Sequence, residues 1–220
     1  ARDASSMNFD FSELSTTNAF KLLSSVVVPR PIAWVVSQSA QGQRNAAPFS
    51  FFNVVSSDPP IVALGIGPRG GQLKDTSRNI LETGEFVINL VSAELAAQMN
   101  HTSLDYVSEV DELTRAGLAT EPSLVVAPPR IALSPAALEC RVWQVLDAAP
   151  QRVIVLARVV ALYLRDDALL DAQRFHVDTP ALRLLGRMHG AGWYAHTSDL
   201  FQMRAPDAAN DPAVRPAQGH

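Results

Sequence analysis

A single cysteine, Cys140, is all the thiol this sequence holds. No intrachain disulfide can brace the fold, and secretion finds no support. Long apolar runs are missing as well. The most hydrophobic stretch, Val26 to Val36, is interrupted by Pro29, Arg30 and Pro31 and is too short to cross a bilayer, so membrane insertion is not expected. With no apolar leader-like segment near the start, the expected compartment is the cytoplasm. Asn100-His101-Thr102 matches a glycosylation sequon, which carries no meaning there. Lysines and arginines number 18 against 22 acidic residues and form no cluster, whereas a nucleic-acid partner needs grouped cations to displace counterions. No DNA or RNA role is expected. The five histidines lack ligand spacing, so no metal site is expected, and the Gly-x-Ser-x-Gly elbow of an α/β-hydrolase is absent.

What is present reads mostly as strand. At 220 residues the chain can bury one sizeable core, and its 15 prolines and 11 glycines are scattered, not gathered in a low-complexity tract. Residues 1–19 read as an N-terminal extension, 20–203 as one domain, and 204–220, rich in Ala, Pro, Asp and Gln, as a flexible tail. Val26 to Val28 and Ile32 to Val36 are strand-like. A polar turn from Ser37 to Arg44 follows, and a second arm runs from Ala46 to Val55 until Pro59-Pro60 stops the ladder. Ile61 to Ile66 is the next strand, and Gly67 to Gly71 must turn. Asp75 is placed to cap a helix over Thr76 to Thr83 that ends at Gly84; Phe86 to Val91 returns as strand; Ser92 is placed to cap a helix through Met99. A short helical piece is expected at Glu112 to Ala116, and Ala137 to Leu146 with Arg152 to Leu164 form a hairpin. Many strands and few short helices give a mainly β fold, a closed antiparallel barrel in preference to a doubly wound sheet. Trp34, Trp143 and Cys140 are expected in the core, and Asp166-Asp167 in a solvated turn.

Several stretches, taken in order, resemble one family: Arg30 to Trp34, Asn45 to Asn53 through Ser56 with Pro59-Pro60, Lys74 to Ile80, Gly84 to Leu90, Ser134 to Cys140, and Gly186 to Gly190. Together they are similar to the flavin-reductase-like family over roughly residues 20 to 200. The resemblance is strongest to the branch of flavoredoxins and the reductase components of two-component monooxygenases. It implies an FMN-binding split barrel with Greek-key antiparallel strands, a homodimer with flavin near the subunit interface, and NADH or NADPH as hydride donor to flavin N5. A partner monooxygenase would take the reduced flavin. An FMN electron carrier without nicotinamide turnover, or a flavin-free binding module on the same barrel, are the alternatives.

The residues themselves admit these roles beside plainer ones. Asn45, Ala46, Ala47, Pro48, Phe49 and Ser50 offer backbone groups and small polar side chains for the edge of an isoalloxazine ring, or they form a half-buried strand with core phenylalanines. Lys74 and Thr76 are the candidate grip on the ribityl phosphate, with Asp75 as cap and Asn79 supporting the loop; otherwise this is an ordinary capped surface helix. Arg30 either approaches the phosphate or ties down a carbonyl. Arg187 pairs either with a cofactor phosphate or with a carboxylate at the dimer interface. His189, in a glycine-punctuated loop with Trp193 and Tyr194, is a candidate catalytic residue or a satisfied loop histidine.

Overall fold

The computed structural model describes residues 7–203; the expected tail and the first six residues of the expected extension lie outside the described residues. The first helix, α1 (Thr16–Val26), begins inside that extension, where the Ser15 hydroxyl accepts the Asn18 N–H at 3.2 Å. The Val26 to Val28 run is therefore not a strand: Val26 ends the helix, Val27 is its C-cap and Val28 lies in the loop that follows. Arg30 is the reason. Its guanidinium donates to the carbonyls of Ser24 and Val27, each at 2.7 Å, satisfying groups that a helix C-terminus otherwise leaves open and overriding the β preference of the valines.

Next come β1 (Arg30–Pro31), β2 (Ala33–Gln38), β3 (Arg44–Phe49), β4 (Phe52–Ser57) and β5 (Pro60–Ile66). The arm expected from Ala46 to Val55 breaks at Ser50-Phe51: β3 pairs with β2, but β4 pairs with β5. Helix α2 (Asp75–Thr83) ends at Gly84 in the left-handed conformation, φ +72°, as its C-cap position demands. Its N-cap is Lys74, not Asp75, and no side chain caps it; the Asp75 carboxylate instead pairs with Arg78 and accepts from the Ser108 hydroxyl at 2.8 Å. After β6 (Glu85–Asn89), a 3₁₀ turn without a side-chain cap from Ser92 leads into α3 (Ala96–His101), and Asp111 caps α4 (Glu112–Arg115). The short strands β7 (Thr120–Glu121) and β8 (Arg130–Ile131) pair with each other. The long hairpin β9 (Ala136–Ala149) and β10 (Arg152–Leu164) is followed by β11 (Leu169–Asp171) and β12 (His176–Val177), then β13 (Leu185–Arg187) and β14 (Tyr194–His196). Among these residues no helix is long and apolar enough to cross a membrane.

Seven antiparallel strands form the main sheet in the order β3-β2-β6-β9-β10-β5-β4, and a small sheet joins β1, β13 and β14. The main sheet curls until Phe49 of β3 packs with Val62 and Leu64 of β5. The expected closure is not made by hydrogen bonds, however. Its edges β3 and β4 share no ladder, so the barrel is split at the Ser50-Phe51 break.

Alternation along β2 divides the core in two. Ala33 and Val35 face the interior with Ile80, Phe86, Ile88 and Cys140, while Trp34 and Val36 face outward under Leu95, Met99 and Leu113. The Trp34 indole donates to Thr102 Oγ1 at 2.9 Å, as a buried indole requires. Cys140 is buried, and that burial pushes its thiol well above the ordinary range, which makes it an inert packing residue. Trp143 departs from expectation. It is 51% exposed, because Val142 and Val145 take the core-facing positions on this part of β9 and leave Trp143 on the other face.

Candidate functional site

Two cavities meet at the Ser50-Phe51 break. One, of about 230 Å³, lies between Pro48, Phe49 and Ser50 of β3, Asn100 and Ser103 around α3, and Arg187 and Tyr194 of the β13–β14 hairpin. The other, of about 550 Å³, is a largely apolar groove between Leu23 of α1 and its C-cap Val27, Phe51 and Phe52, and the start of β10.

The first cavity has an edge strand as one wall. Ala46 N–H turns away from β2 to donate to Glu112 at 3.0 Å, and by the two-residue alternation Pro48 lies in the same outward phase. Proline is tolerated there because its missing N–H costs β2 no hydrogen bond. The outer edge thus offers the carbonyls of Ala46 and Pro48 and the N–H of Ser50. Behind it lies a buried polar chain: Thr76 Oγ1 donates to Asn45 Oδ1 at 2.7 Å, and Asn45 Nδ2 donates to Glu112 Oε1 at 2.8 Å. Burial raises the Glu112 carboxyl above its usual range, while the bonds from Ala46 N–H and Asn45 oppose that rise.

At one end of β3 stands the start of α2. Lys74 Nζ lies 5.2 Å from the centre of the Phe49 ring, and no carboxylate is within ion-pair distance of it among the described residues. Burial lowers its pKa, and Arg69 lowers it further, while Asp105 partly offsets both. The N–H groups of Asp75, Thr76 and Ser77 have no partner among the described residues, and the buried Ser77 hydroxyl has none either. Thr76, by contrast, is buried with its proton already committed to Asn45, and Asn79 is buried with its amide on Ser37 Oγ at 3.1 Å. Of the helix residues expected at a ligand, Lys74 is the one with a charge to give.

The β13–β14 hairpin closes the other side. Arg187 donates to the carbonyls of Gly190 (2.8 Å) and Trp193 (3.3 Å) and lies over the Tyr194 ring, so part of its donor capacity holds its own loop. His189 is exposed and stacked on Trp193, with ring centres 5.9 Å apart. Arg30 is a clamp: besides α1 it holds the Met188 carbonyl at 3.0 Å, and its Nε lies 3.4 Å from Ser50 Oγ. Gly186 is needed where Pro29 crosses it, since a Cβ there would sit 2.7 Å from the proline's own Cβ.

Sequence reasoning missed Glu112, Asn100 and Ser103 beside this cavity. Asn100 was within reach, hidden in a sequon dismissed as noise; Glu112 lies 67 residues from Asn45 and carried no local signal. A Gly-x-Gly-x-x-Gly dinucleotide fingerprint, expected to be absent, is formally matched by Gly65-x-Gly67-x-x-Gly70. Here the pattern follows β5, which is antiparallel to both of its neighbours, so it opens no βαβ crossover.

Comparison with known proteins gives this arrangement a family. Residues 24–179 match the flavin reductase like domain, and the chain belongs to that family. It is 45% identical to an uncharacterized protein of Deinococcus radiodurans across 89% of this chain and 88% of that one, and 36% identical to YwrF of Bacillus subtilis across 90% and 98%. Among solved structures it is similar to the 2-nitrobenzoate 2-nitroreductase NbaA of Pseudomonas fluorescens, with 31% identity, a TM-score of 0.83, and 97% and 100% of the two chains covered. It is also similar to nitrilotriacetate monooxygenase component B of Bacillus cereus, with 26% identity, a TM-score of 0.83, and 90% and 99% covered.

Proposed function

We propose that the chain is an FMN-dependent NAD(P)H:flavin oxidoreductase, passing a hydride from the nicotinamide of NADH or NADPH to flavin N5. In this reading it is a cytoplasmic homodimer whose reduced flavin serves a partner monooxygenase. One observation carries it: an unpaired strand edge, Ala46 to Ser50, meets a half-buried lysine without a carboxylate partner at an uncapped helix start.

The residues present fit a planar ring bearing a phosphate. The outward carbonyls of Ala46 and Pro48 and the Ser50 N–H match a ring edge of alternating donors and acceptors. Lys74 and the open N–H groups of α2 suit a dianion. Bound flavin supplies the two-electron acceptor. The protein's own work is to orient and to exclude water: β3 fixes the ring edge, Lys74 neutralises the phosphate, and Arg187, Tyr194 and the Trp193–His189 stack form an adjustable cover. No side chain need move a proton in such a step, so His189 serves as cover and not as acid or base.

Dimerisation is supported by the size of the cavity and by what lies beside it. About 230 Å³ falls short of the roughly 300–1,000 Å³ of a typical ligand pocket, so a second surface is needed to cover the ring. Next to it, Phe20 and Leu23 of α1 and Val54 and Val55 of β4 are exposed, with Val54 at 62%. The likeness to a monooxygenase component supports the partner.

The test is to add FMN, then NADH or NADPH, without oxygen, and to follow the flavin band near about 450 nm. Rapid bleaching is expected. A flavin-bound protein that neither nucleotide bleaches is an electron carrier, and a protein that takes up no FMN ends the flavin reading. The 31% identity to a nitroreductase favours a second reading, in which the same flavin reduces a nitroaromatic; reoxidation of the bleached protein by 2-nitrobenzoate would select it.

A further inference from the structure

Glu112 is 5% exposed, yet no lysine, arginine or histidine is within ion-pair distance of its carboxylate among the described residues. Such a group is costly to bury, and here it is compensated only by neutral donors: Asn45 Nδ2 on one oxygen and Ala46 N–H on the other. The cation nearest in the network, Arg44 of β3, is engaged by Asp111, whose own charge opposes ionisation of Glu112; on the α2 side, Asp75 is engaged by Arg78. Packing α4 against β3 does not by itself call for a buried carboxylate. The carboxylate does something packing would not. It fixes the main chain of β3 at Ala46, and through Asn45 Oδ1 it fixes Thr76 in the first turn of α2.

We propose that Glu112 is a positioning residue for flavin: through Ala46, Asn45 and Thr76 it sets the span between the ring edge on β3 and the phosphate end at Lys74 and α2. This rests on the flavin reading above. The two ends belong to different elements, and this chain of hydrogen bonds links them directly. Held at the right span, they bind the two ends of one molecule together; released, each end binds as if alone.

The quantity that reports the span is the ratio of FMN affinity to riboflavin affinity, because riboflavin has the ring end without the phosphate. Glu112→Met keeps the length of the side chain but removes both acceptors, so the Ala46 N–H and Asn45 Nδ2 each lose their partner. Apoprotein titrated by flavin fluorescence quenching is expected to show wild type favouring FMN, and the variant losing that preference by about tenfold or more while riboflavin binding changes little. A loss shared equally by both ligands, or an unchanged ratio, would mean that Glu112 only stabilises the fold, and would overturn the proposal while leaving the flavin reading intact. Wild-type protein that binds neither ligand would overturn the flavin reading itself, and this proposal with it. Should Glu112→Met fail to fold, Glu112→Asp, which keeps both oxygens on a shorter arm, decides: a reduced FMN preference supports the span, and a wild-type ratio overturns it.

Discussion

Lys74 carries the charge argument. Its ammonium is half-buried against Phe49, and that burial lowers its pKa from the ordinary lysine value. The sign of the consequence follows: a phosphate needs the protonated form, so FMN affinity is expected to fall as pH rises through a pKa lower than a free lysine's. Lys74→Arg, which keeps its charge at any accessible pH, should move that loss to higher pH. Lys74→Ala should weaken FMN binding by about 1 to 3 kcal/mol, the scale of a charge-assisted hydrogen bond. Titration of apoprotein over a pH series measures both effects, and unchanged affinity would place the phosphate elsewhere.

Between elements, the contacts that matter join residues far apart in the chain, and this decides what the sequence could reveal. The helix ending at Gly84 and the β9–β10 hairpin were readable because a left-handed glycine and two long apolar alternations are local signals. Helix α1 was not, since the residue that ends it, Arg30, stands four positions beyond its last turn and acts through its side chain. The break at Ser50-Phe51 was equally hidden: it depends on β4 turning to β5, where Gly65 N–H meets the Phe51 carbonyl at 2.7 Å. The site divides the same way. Asn45 to Ser50 and Lys74 were candidates by motif, but the link from the buried Thr76 to Asn45 could come only from knowing where Asn45 points. Arg30→Met tests the clamp, because it keeps the apolar stem and removes every donor. The carbonyls of Ser24, Val27 and Met188 then lose their partner, at an expected cost of about 1 to 3 kcal/mol. Hydrogen exchange should show α1 losing protection while β6 and β9 keep theirs; unchanged exchange in α1 would refute the clamp.

At the scale of the molecule, an open edge strand and an apolar helix face lie side by side. β4 is exposed along most of its length, Phe20 of α1 packs on Phe51 with ring centres 5.9 Å apart, and Leu23 and Val27 line the large groove beside them. Exposed edges of this kind invite pairing unless something covers them. A second copy on this face would bury the strip and roof the shallow cavity proposed for flavin in one step. Sedimentation is therefore expected to give a dimer, and Leu23→Asp combined with Val54→Asp to give a monomer with weakened FMN binding. A wild-type monomer that binds FMN tightly would remove the need for a second copy.

The most direct measurement is a crystal structure of the protein with FMN. The ring is expected along the outer edge of Ala46 to Ser50, with the phosphate within hydrogen-bond reach of Lys74 and the first N–H groups of α2. FMN seated in the apolar groove beside α1 instead, or absent from the β3 edge at saturating concentration, would contradict that placement.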